Sequence, residues 1–323
     1  MKRLPIYSFI GLLIMAVSEG FMLAHIEPFW SWHTPIAWTG YVLFVDGLVR
    51  ARRGSSWITH APNEFVFLAV MSVPLWLVFE AYNLLIRNWH YVNLPMNLFW
   101  RTFGYTWSFA TIWPAIFETA ELVATIRGDS GNHHPGHRAG SRQQAAADQP
   151  GHASHAGTRP GLKAEVRSRR PMVTSVTSGV IPRSLSPVAW VSITAGALML
   201  LWPIARPSPY LAAPVWLGFI FLLDPLNAGA GAEAIWNDWD LRGRDRLVNL
   251  AISGLVCGLI WEFWNYWARA KWIYSVPILS NLKMFEMPLP GYLGFPPFAL
   301  ECFTMYVAAR RWMWRGAGRP IGL

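Results

Sequence analysis

Charged residues are scarce in this chain, and their scarcity excludes an ordinary soluble domain. Only 14% of the 323 residues are Asp, Glu, Lys or Arg, whereas soluble proteins carry about 25%. Hydrophobic residues make up 53% of the chain and Trp occurs 20 times; Trp favours the membrane–water interface. The composition therefore predicts an all-α integral membrane protein with a lipid bilayer around it.

Cysteine is scarce as well, which excludes a disulfide framework and a cysteine-based zinc site. Cys257 and Cys302 both lie in apolar runs, where we expect small buried side chains. No nucleotide-binding or metal-binding motif is present, so we predict no cofactor and no metal. The net charge of +9 does not indicate nucleic-acid binding, because Lys and Arg cluster in the loops between apolar runs, as they do in oriented membrane proteins.

Eight apolar runs are near the length that crosses a bilayer, about 17–25 residues. They lie near 5–25, 35–50, 64–86, 102–126, 187–205, 211–228, 247–269 and 292–312. The first run has some features of a signal peptide, but it is long for one and contains Glu19, so we predict a retained helix. Lys and Arg are more numerous in the loops that share a side with Lys2 and Arg3. This predicts a multi-pass protein of the cell (inner) membrane with both termini in the cytoplasm.

Residues 127–185 interrupt the apolar pattern with a stretch rich in Gly, His, Ser, Gln and Pro. Such a composition cannot bury an apolar face, so we predict a disordered linker. Weak metal binding by its histidines is the alternative to a merely solvated linker; these are His133, His134, His137, His152 and His155. The linker divides the chain into a first four-helix repeat, 1–126, and a second, 186–323.

The two halves resemble each other in sequence. GYVLFVD (40–46) matches GFIFLLD (218–224), EAYNLLIRNWHYVNLP (80–95) matches EFWNYWARAKWIYSVP (262–277), and WPAIFE (113–118) matches PPFALE (296–301). Matches in the same order at nearly constant spacing indicate a duplicated unit. Because each unit has an even number of helices, the copies are predicted to be parallel repeats related by an axis along the membrane normal, with a ligand site at their interface.

Acidic residues recur at matching places within the apolar runs. An ionisable group in a membrane span costs about 2.5–3.5 kcal/mol or more and tends to mark function. The catalytic candidates are therefore Glu80, Glu118, Glu262 and Glu301. We expect these acids to converge on one cavity; in the alternative interpretation they only join helices, at about 0.6–2 kcal/mol per hydrogen bond.

Two further polar pairs accompany the acids. Asn83 and Asn265 each follow a glutamate by three residues, which places both side chains on one helical face. We expect these amides to bind the acid or a shared ligand. Asp46 and Asp224 lie near helix ends, where we expect them to reach water or to pair with loop arginines.

The aromatic residues beyond the helix ends admit two interpretations. Trp89 and Tyr91, like Trp272 and Tyr274, are typical of a belt at the membrane–water interface. Alternatively, Trp272, Tyr274 and Trp261 line a ligand pocket with the acid.

The segment 283–301 is rich in Pro and Gly, which exclude a regular helix before about Phe298. Irregular backbone at membrane depth is tolerated only where protein buries it or where it lines a cavity. We therefore predict a re-entrant or capping loop that brings Glu286 toward the site.

A buried carboxyl group among aromatic rings suits one chemistry in particular. Burial raises the pKa of a carboxyl group, so such an acid can protonate an alkene of a lipid-soluble isoprenoid. Trp and Tyr faces would stabilise the carbocation, and a carboxylate would then remove a proton or assist the addition of water.

These features resemble the membrane carotenoid enzymes, the heterodimer-type lycopene cyclases and related carotenoid hydratases. The similarity covers about 40 residues in each half: a Glu-bearing helix, an aromatic-x-Tyr pair and a Pro-containing loop leading to a second Glu. It departs from the cyclases at their tandem Glu-Glu after Pro, since here Phe298, Ala299 and Leu300 separate Pro297 from a single Glu301. The resemblance implies at most a membrane bundle that binds a polyprenoid, an isoprenoid or carotenoid-like ligand; cyclisation or hydration of that ligand is the expectation from the buried acids and aromatic rings.

Two other classes of protein fit the same residues. Paired intramembrane acids and a Pro/Gly-broken loop suit a proton-coupled transporter or channel. A non-catalytic membrane scaffold, with its acids serving only as contacts between helices, is the third possibility.

Overall fold

Each of the eight apolar runs folds as helix. The computed structural model describes residues 3–128, 185–238, 244–316 and 318–322, and the predicted linker lies almost entirely outside them. The helices are α1 (Ile6–Leu23), α2 (His33–Arg53), α3 (Trp57–His60), α4 (Pro62–Ile86), α5 (Leu98–Ala110), α6 (Ile112–Arg127), α7 (Pro187–Ala205), α8 (Ala212–Gly229), α9 (Ile235–Asp238), α10 (Arg244–Trp267) and α11 (Phe295–Met313).

Six candidate membrane spans occur within these described ranges, which confirms the all-α membrane class at that level. They are α1, α4, the consecutive helices α5 and α6, α7, the segment Pro209–Gly229 that contains α8, and α10. The two remaining long helices, α2 and α11, are not among these candidates. Three arginines end α2, and α11 carries Glu301 as well as Arg310 and Arg311.

Helix boundaries follow local signals in the sequence. Asn97 and Ser186 accept backbone N–H groups at the starts of α5 and α7, as N-capping side chains do. Gly54 and Gly128 end α2 and α6 in the left-handed conformation, with φ of 85° and 80°, which only glycine adopts without cost.

Short strands, which the sequence did not predict, complete the fold. They are β1 (Trp89–Val92), β2 (Lys271–Tyr274), β3 (Lys283–Met284) and β4 (Met287–Pro288), and β1 pairs with β2 while β3 pairs with β4. Short 3₁₀ helices cover Pro209–Leu211 and Leu289–Gly294. We call the end of the bundle that carries β1 and β2 the sheet end.

Glycine contacts join the first two helices of each half. A Cβ atom at Gly11 would lie 2.5 Å from the Gly40 oxygen of α2, and one at Gly196 would lie 2.7 Å from the Gly218 oxygen of α8. Close approach through small residues is a common way to pack helices in membranes. The α1–α2 and α7–α8 pairs are therefore built alike.

The centre of the bundle lies where α6, α10 and α11 pack together. Its largest side chains are Trp113, Phe117, Phe303 and Tyr306, all fully buried. The Trp113 Nε1 group donates to the Cys302 carbonyl oxygen at 2.8 Å, so α6 and α11, the matching helices of the two halves, are joined directly.

An ion-pair network closes the opposite end, which we call the arginine end. The pairs join Arg53 and Arg319 to Glu121, Arg310 to Glu64 and Glu233, and Arg246 to Glu233. The C-terminal residues 318–322 lie among these charges, and Ile321 is fully buried. Buried ion pairs of this kind depend on complete hydrogen bonding to offset their desolvation, so the C-terminal segment is part of the fold.

The repeated aspartates are buried, so the expectation that they reach water is wrong. Asp46 is 0% exposed and accepts the Ile58 N–H of α3 at 2.9 Å. Asp224 is 3% exposed and accepts the Ile235 and Trp236 N–H groups of α9 at 2.9 and 2.7 Å. Both carboxylates therefore satisfy the free N–H groups at the start of a short helix.

A surface ion pair ties the α1–α2 connection to the segment after α10. Glu27 accepts from Arg269 Nη1 at 2.9 Å and from the backbone and hydroxyl of Ser31. Partial burial alone would raise the pKa of Glu27, but the Ser31 hydrogen bonds and the Arg269 charge outweigh it and hold the pKa below its usual value. Glu27 is thus stabilised as a carboxylate.

Candidate functional site

The Trp-x-Tyr pairs of the two halves lie against each other as the antiparallel strands β1 and β2. Trp89 lies opposite Tyr274, and Tyr91 lies opposite Trp272. The Trp of each half therefore faces the Tyr of the other half, on either side of the pair formed by His90 and Ile273. Trp89 is buried and the other three rings are half-buried, so all four pack against other parts of the protein. Their location in a belt at the membrane–water interface stays a prediction.

The two repeated asparagines fix the tryptophans of these strands. Asn265 Oδ1 accepts the Trp272 N–H at 2.9 Å, and its Nδ2 donates to the Trp272 oxygen at 2.8 Å. Asn83 makes the same two contacts with Trp89, at 3.1 and 2.8 Å. A carboxamide carries a donor and an acceptor side by side, so each amide pairs with the N–H and the carbonyl group of one strand residue, as a neighbouring strand does. The two amides therefore bind backbone and not a glutamate.

Glu80 accepts three hydrogen bonds at one oxygen. The donors to its Oε1 are Trp76 Nε1 at 2.9 Å, Trp89 Nε1 at 3.2 Å and the Tyr91 hydroxyl at 2.5 Å. Trp76 precedes Glu80 by one helical turn, whereas the other two donors come from β1. The three donors fix the position of this side chain, and Glu80 is only partly buried.

Glu262 occupies the matching place with fewer partners. Its Oε1 accepts the Tyr274 hydroxyl at 2.8 Å and, at 3.4 Å, Trp272 Nε1. Glu262 is 0% exposed, and its Oε2 has no hydrogen-bond partner in the described part of the chain. The two halves therefore build the same Trp–Tyr–Glu arrangement in two different environments.

The tyrosines of these arrangements remain neutral donors. The pKa of Tyr91 and that of Tyr274 are both raised, first by burial and next by the negative charge that the adjacent Glu80 or Glu262 carries when it is ionised. A neutral phenol can pass a proton between a carboxylate and a third group, because its oxygen accepts while its hydrogen donates.

Beneath the β1–β2 sheet lies a cavity of about 430 Å³, within the size range of small-molecule sites. Both halves contribute to its wall, which is largely aromatic. Its rings include Trp38, Trp76, Trp89, Tyr91, Trp216, Trp261, Trp272, Tyr274 and Phe298. Exposed side chains at the sheet end, among them Trp100, Tyr210 and Leu293, also line it, so the cavity opens there.

The four acids do not line this cavity, and the expected convergence is therefore wrong. Glu80 and Glu262 lie one hydrogen bond behind it, because the Tyr91 and Tyr274 rings that contact them form its wall. Glu118 is fully buried beside Asp46. Glu301 accepts the Phe219 N–H of α8 at 3.1 Å.

Trp261, Trp272 and Tyr274 line the cavity, as the pocket interpretation expected. The segment 283–301 contributes Met287 and Pro290 to the wall. Glu286, at the tip of the β3–β4 hairpin, instead pairs with Lys271 at 2.6 Å, and this ion pair ties the hairpin to the start of β2.

Several wall residues were not recognised from the sequence. Trp76 could have been found, since it precedes Glu80 by one turn of helix, and Tyr91 could have been found as the repeat counterpart of Tyr274. Trp38 and Trp216 could have been found as counterparts too, since each stands two residues before the matched glycine of its half, Gly40 or Gly218; nothing local shows which face of α2 or α8 turns toward the other half.

Comparison of the chain with protein-family models, with curated proteins and with solved structures gives no match.

Proposed function

We propose that this protein binds a lipophilic, isoprenoid- or carotenoid-like ligand in the aromatic cavity and acts on it by acid–base chemistry. The proposal rests on one observation above all: two carboxyl groups each contact a tyrosine hydroxyl whose ring forms the wall of an apolar cavity. An aromatic wall favours an unsaturated apolar ligand, and the acids supply the means of proton transfer.

The cavity wall also suits a cationic intermediate. Rings that face a cation stabilise it through their quadrupoles, and Trp is the most effective of them. In the proposed step Tyr274 gives its proton to an alkene carbon of the ligand while the Glu262 carboxyl group returns one to Tyr274. A neighbouring carbon then loses a proton through Tyr91 to Glu80, so that the reaction is redox-neutral and amounts to cyclisation or isomerisation; hydration follows if water adds instead.

For the membrane arrangement we propose eight crossings in two parallel four-helix repeats. The matching glycine contacts, aspartate contacts and asparagine contacts of the two halves support the duplication. The concentration of arginines at one end supports a cytoplasmic location for that end and for both termini, in the cell's inner membrane.

Transport across the bilayer has less support. A transporter must open its site alternately to both sides, whereas the arginine end is filled by buried ion pairs and by residues 318–322. Between that end and the cavity lie the fully buried rings of α6 and α11. The arrangement favours a site entered from the sheet end.

Ligand binding is tested by filling the cavity. Gly104 lines it, and a Cβ atom there would meet nothing closer than Trp32 Nε1 at 3.8 Å, so Gly104→Leu adds volume without a backbone clash. Gly20→Leu is the matched control, because a Cβ atom there meets nothing within 4 Å. We expect a co-purified isoprenoid in mass spectra of lipid extracts from the wild type and the control but not from Gly104→Leu. Equal lipid content in all three would contradict binding in this cavity.

Proton transfer is tested by isotope incorporation. In D₂O, proton addition and loss at an alkene replaces carbon-bound hydrogen by deuterium, which mass spectrometry of the bound ligand detects. We expect incorporation by the wild type and by the exposed control Glu27→Gln, and its loss in Glu262→Gln and Tyr274→Phe. Incorporation that persists in both site variants would show that Glu262 and Tyr274 do not carry the proton, and no incorporation by the wild type would leave a binding protein without this chemistry.

A further inference from the structure

The cavity wall contains one arginine whose charge has no counterion among the described residues. Arg101 and Lys271 both line the cavity, and no described Asp or Glu does. Lys271 is neutralised by Glu286 at 2.6 Å. Arg101 donates only to backbone carbonyl groups and makes no ion pair within the described chain. The wall therefore carries an uncompensated positive charge.

The guanidinium group of Arg101 lies at the mouth of the cavity, the opening at the sheet end. Its Nε donates at 3.1 Å to the carbonyl oxygen of Pro95, which is a wall residue. Its Nη2 donates at 3.4 Å to the carbonyl oxygen of Met96, which is 90% exposed. Its Nη1 has no partner in the described chain and keeps accessible surface. Two N–H groups of the guanidinium are thus available to a ligand.

A second free donor accompanies the arginine. Tyr105 follows Arg101 by one turn of α5, so both side chains lie on the helical face that lines the cavity. Side chains of a helix lean toward its N-terminus, which directs the Tyr105 ring toward Arg101. The Tyr105 hydroxyl makes no hydrogen bond with a described residue and also keeps accessible surface. Its ring packs edge-on against Tyr91, with 5.0 Å between the ring centroids, so both donors lie near the Tyr91–Glu80 contact.

Neither membrane orientation nor helix stability explains the position of Arg101. Arginines that orient a membrane protein concentrate on its cytoplasmic side, and the proposed arrangement places the sheet end on the other side. Arg101 is also the fourth residue of α5, and the helix dipole disfavours a positive charge near the start of a helix. Its contacts with the Pro95 and Met96 carbonyl groups require a donor but no charge. An anion bound at the mouth explains both the charge and the free N–H groups.

We infer that the ligand of this cavity is an isoprenoid with an anionic end group, a carboxylate or a phosphate, which pairs with Arg101 and accepts a hydrogen bond from Tyr105. The apolar chain then extends beneath the sheet. Arginine binds carboxylate and phosphate groups through charge-assisted hydrogen bonds, which are stronger than neutral ones. An anchored end group also fixes which alkene carbon lies beside Tyr91 and Tyr274. This inference rests on the proposed function and narrows its ligand class.

The test compares probes that share one chain and differ in the end group: geranylgeranoic acid, geranylgeranyl phosphate and the neutral alcohol geranylgeraniol. Each anionic probe is mixed with an equal amount of the alcohol and with the protein in neutral detergent, and native mass spectrometry gives the ratio of the two bound probes. Phosphatidylglycerol and inorganic phosphate are included as other sources of an anionic group. We expect the wild type to retain either anionic probe about tenfold over the alcohol, the effect of one charge-assisted hydrogen bond.

Variants assign the preference to the two donors. Arg101→Gln removes the charge but keeps a donor for the loop carbonyl groups, and should reduce the preference to about twofold or less. Arg206→Gln is the matched control and should retain the preference, because Arg206 is exposed, follows α7 at the sheet end and lies outside the cavity wall. Tyr105→Phe removes a hydroxyl that has no partner in the described chain, so folding should tolerate it, and should lower the preference about threefold.

The outcomes separate the two proposals. Equal retention of anionic and neutral probes by the wild type, or a preference that both Arg101→Gln and Tyr105→Phe keep, overturns the inference of an anionic ligand while the cavity remains a binding site. An equal loss of preference in Arg206→Gln would assign the effect to the general surface charge and overturn it too, as would phosphatidylglycerol or inorganic phosphate bound in place of the isoprenoids. If the wild type binds none of the three isoprenoid probes, the proposed binding function is contradicted as well.

Discussion

Replacing Asn265 by Leu should loosen β2 and destabilise the protein measurably. The substitution retains a helix-forming side chain of similar size but removes both hydrogen bonds to the Trp272 backbone. Each buried backbone group left without a partner costs about 1–3 kcal/mol. Because Trp272 is half-buried, water can replace part of this loss, and we expect about 2–3 kcal/mol. Asn83→Leu removes three hydrogen bonds and should cost more.

Reversible unfolding in mixed micelles with increasing SDS, followed by near-ultraviolet circular dichroism, measures these differences. Thr194→Val is the control, because the exposed Thr194 hydroxyl donates only to a carbonyl of its own helix, at 2.9 Å, and should cost about 0.5 kcal/mol or less. If Asn265→Leu unfolds at the same SDS fraction as Thr194→Val, the Asn265 amide does not hold β2 in place.

Other perturbations test other parts of the fold. Gly196→Val should cost at least about 1–3 kcal/mol by forcing α7 from α8, whereas Gly20→Val has free space and should cost less; equal Tm values would contradict the close packing. Arg319→Met should cost about 3–5 kcal/mol, because it removes two hydrogen bonds from the fully buried Glu121, and an unchanged unfolding midpoint would show that the C-terminal segment is dispensable. The lowered pKa of Glu27 implies a contribution to stability that is present above its usual pKa and is lost as pH falls through the folded value. Glu27→Gln should flatten that acid dependence, and an identical acid profile would contradict the assignment.

The local sequence was sufficient to predict where the long helices lie. A run of about twenty apolar residues has few ways to satisfy its backbone in a bilayer other than as a helix, and each predicted run is helical. The similarity of the two halves could also be read directly, and Gly40 and Gly218, like Asn83 and Asn265, make corresponding contacts in the structure.

The short strands could not be predicted in the same way. A four-residue segment such as Trp89–Val92 has no periodicity of its own and pairs with a segment 182 residues later in the chain (271 − 89). Without that pairing, Trp and Tyr just beyond a helix end are indistinguishable from an interfacial belt.

The sequence by itself determined a membrane bundle of apolar helices, the similarity of its two halves, and the placement of Glu80 with Asn83 and of Glu262 with Asn265 on one helical face. The helices and the shared faces depend on spacing within a single helix, and the similarity is a pattern of matching residues along the chain. Only the tertiary structure decided that the amides bind strand backbone, that tyrosine hydroxyls separate the two glutamates from the cavity, and that Glu118 and Glu301 lie elsewhere. Those outcomes depend on how helices from opposite halves pack, because shape complementarity and hydrogen bonding across the bundle determine which partner each side chain contacts.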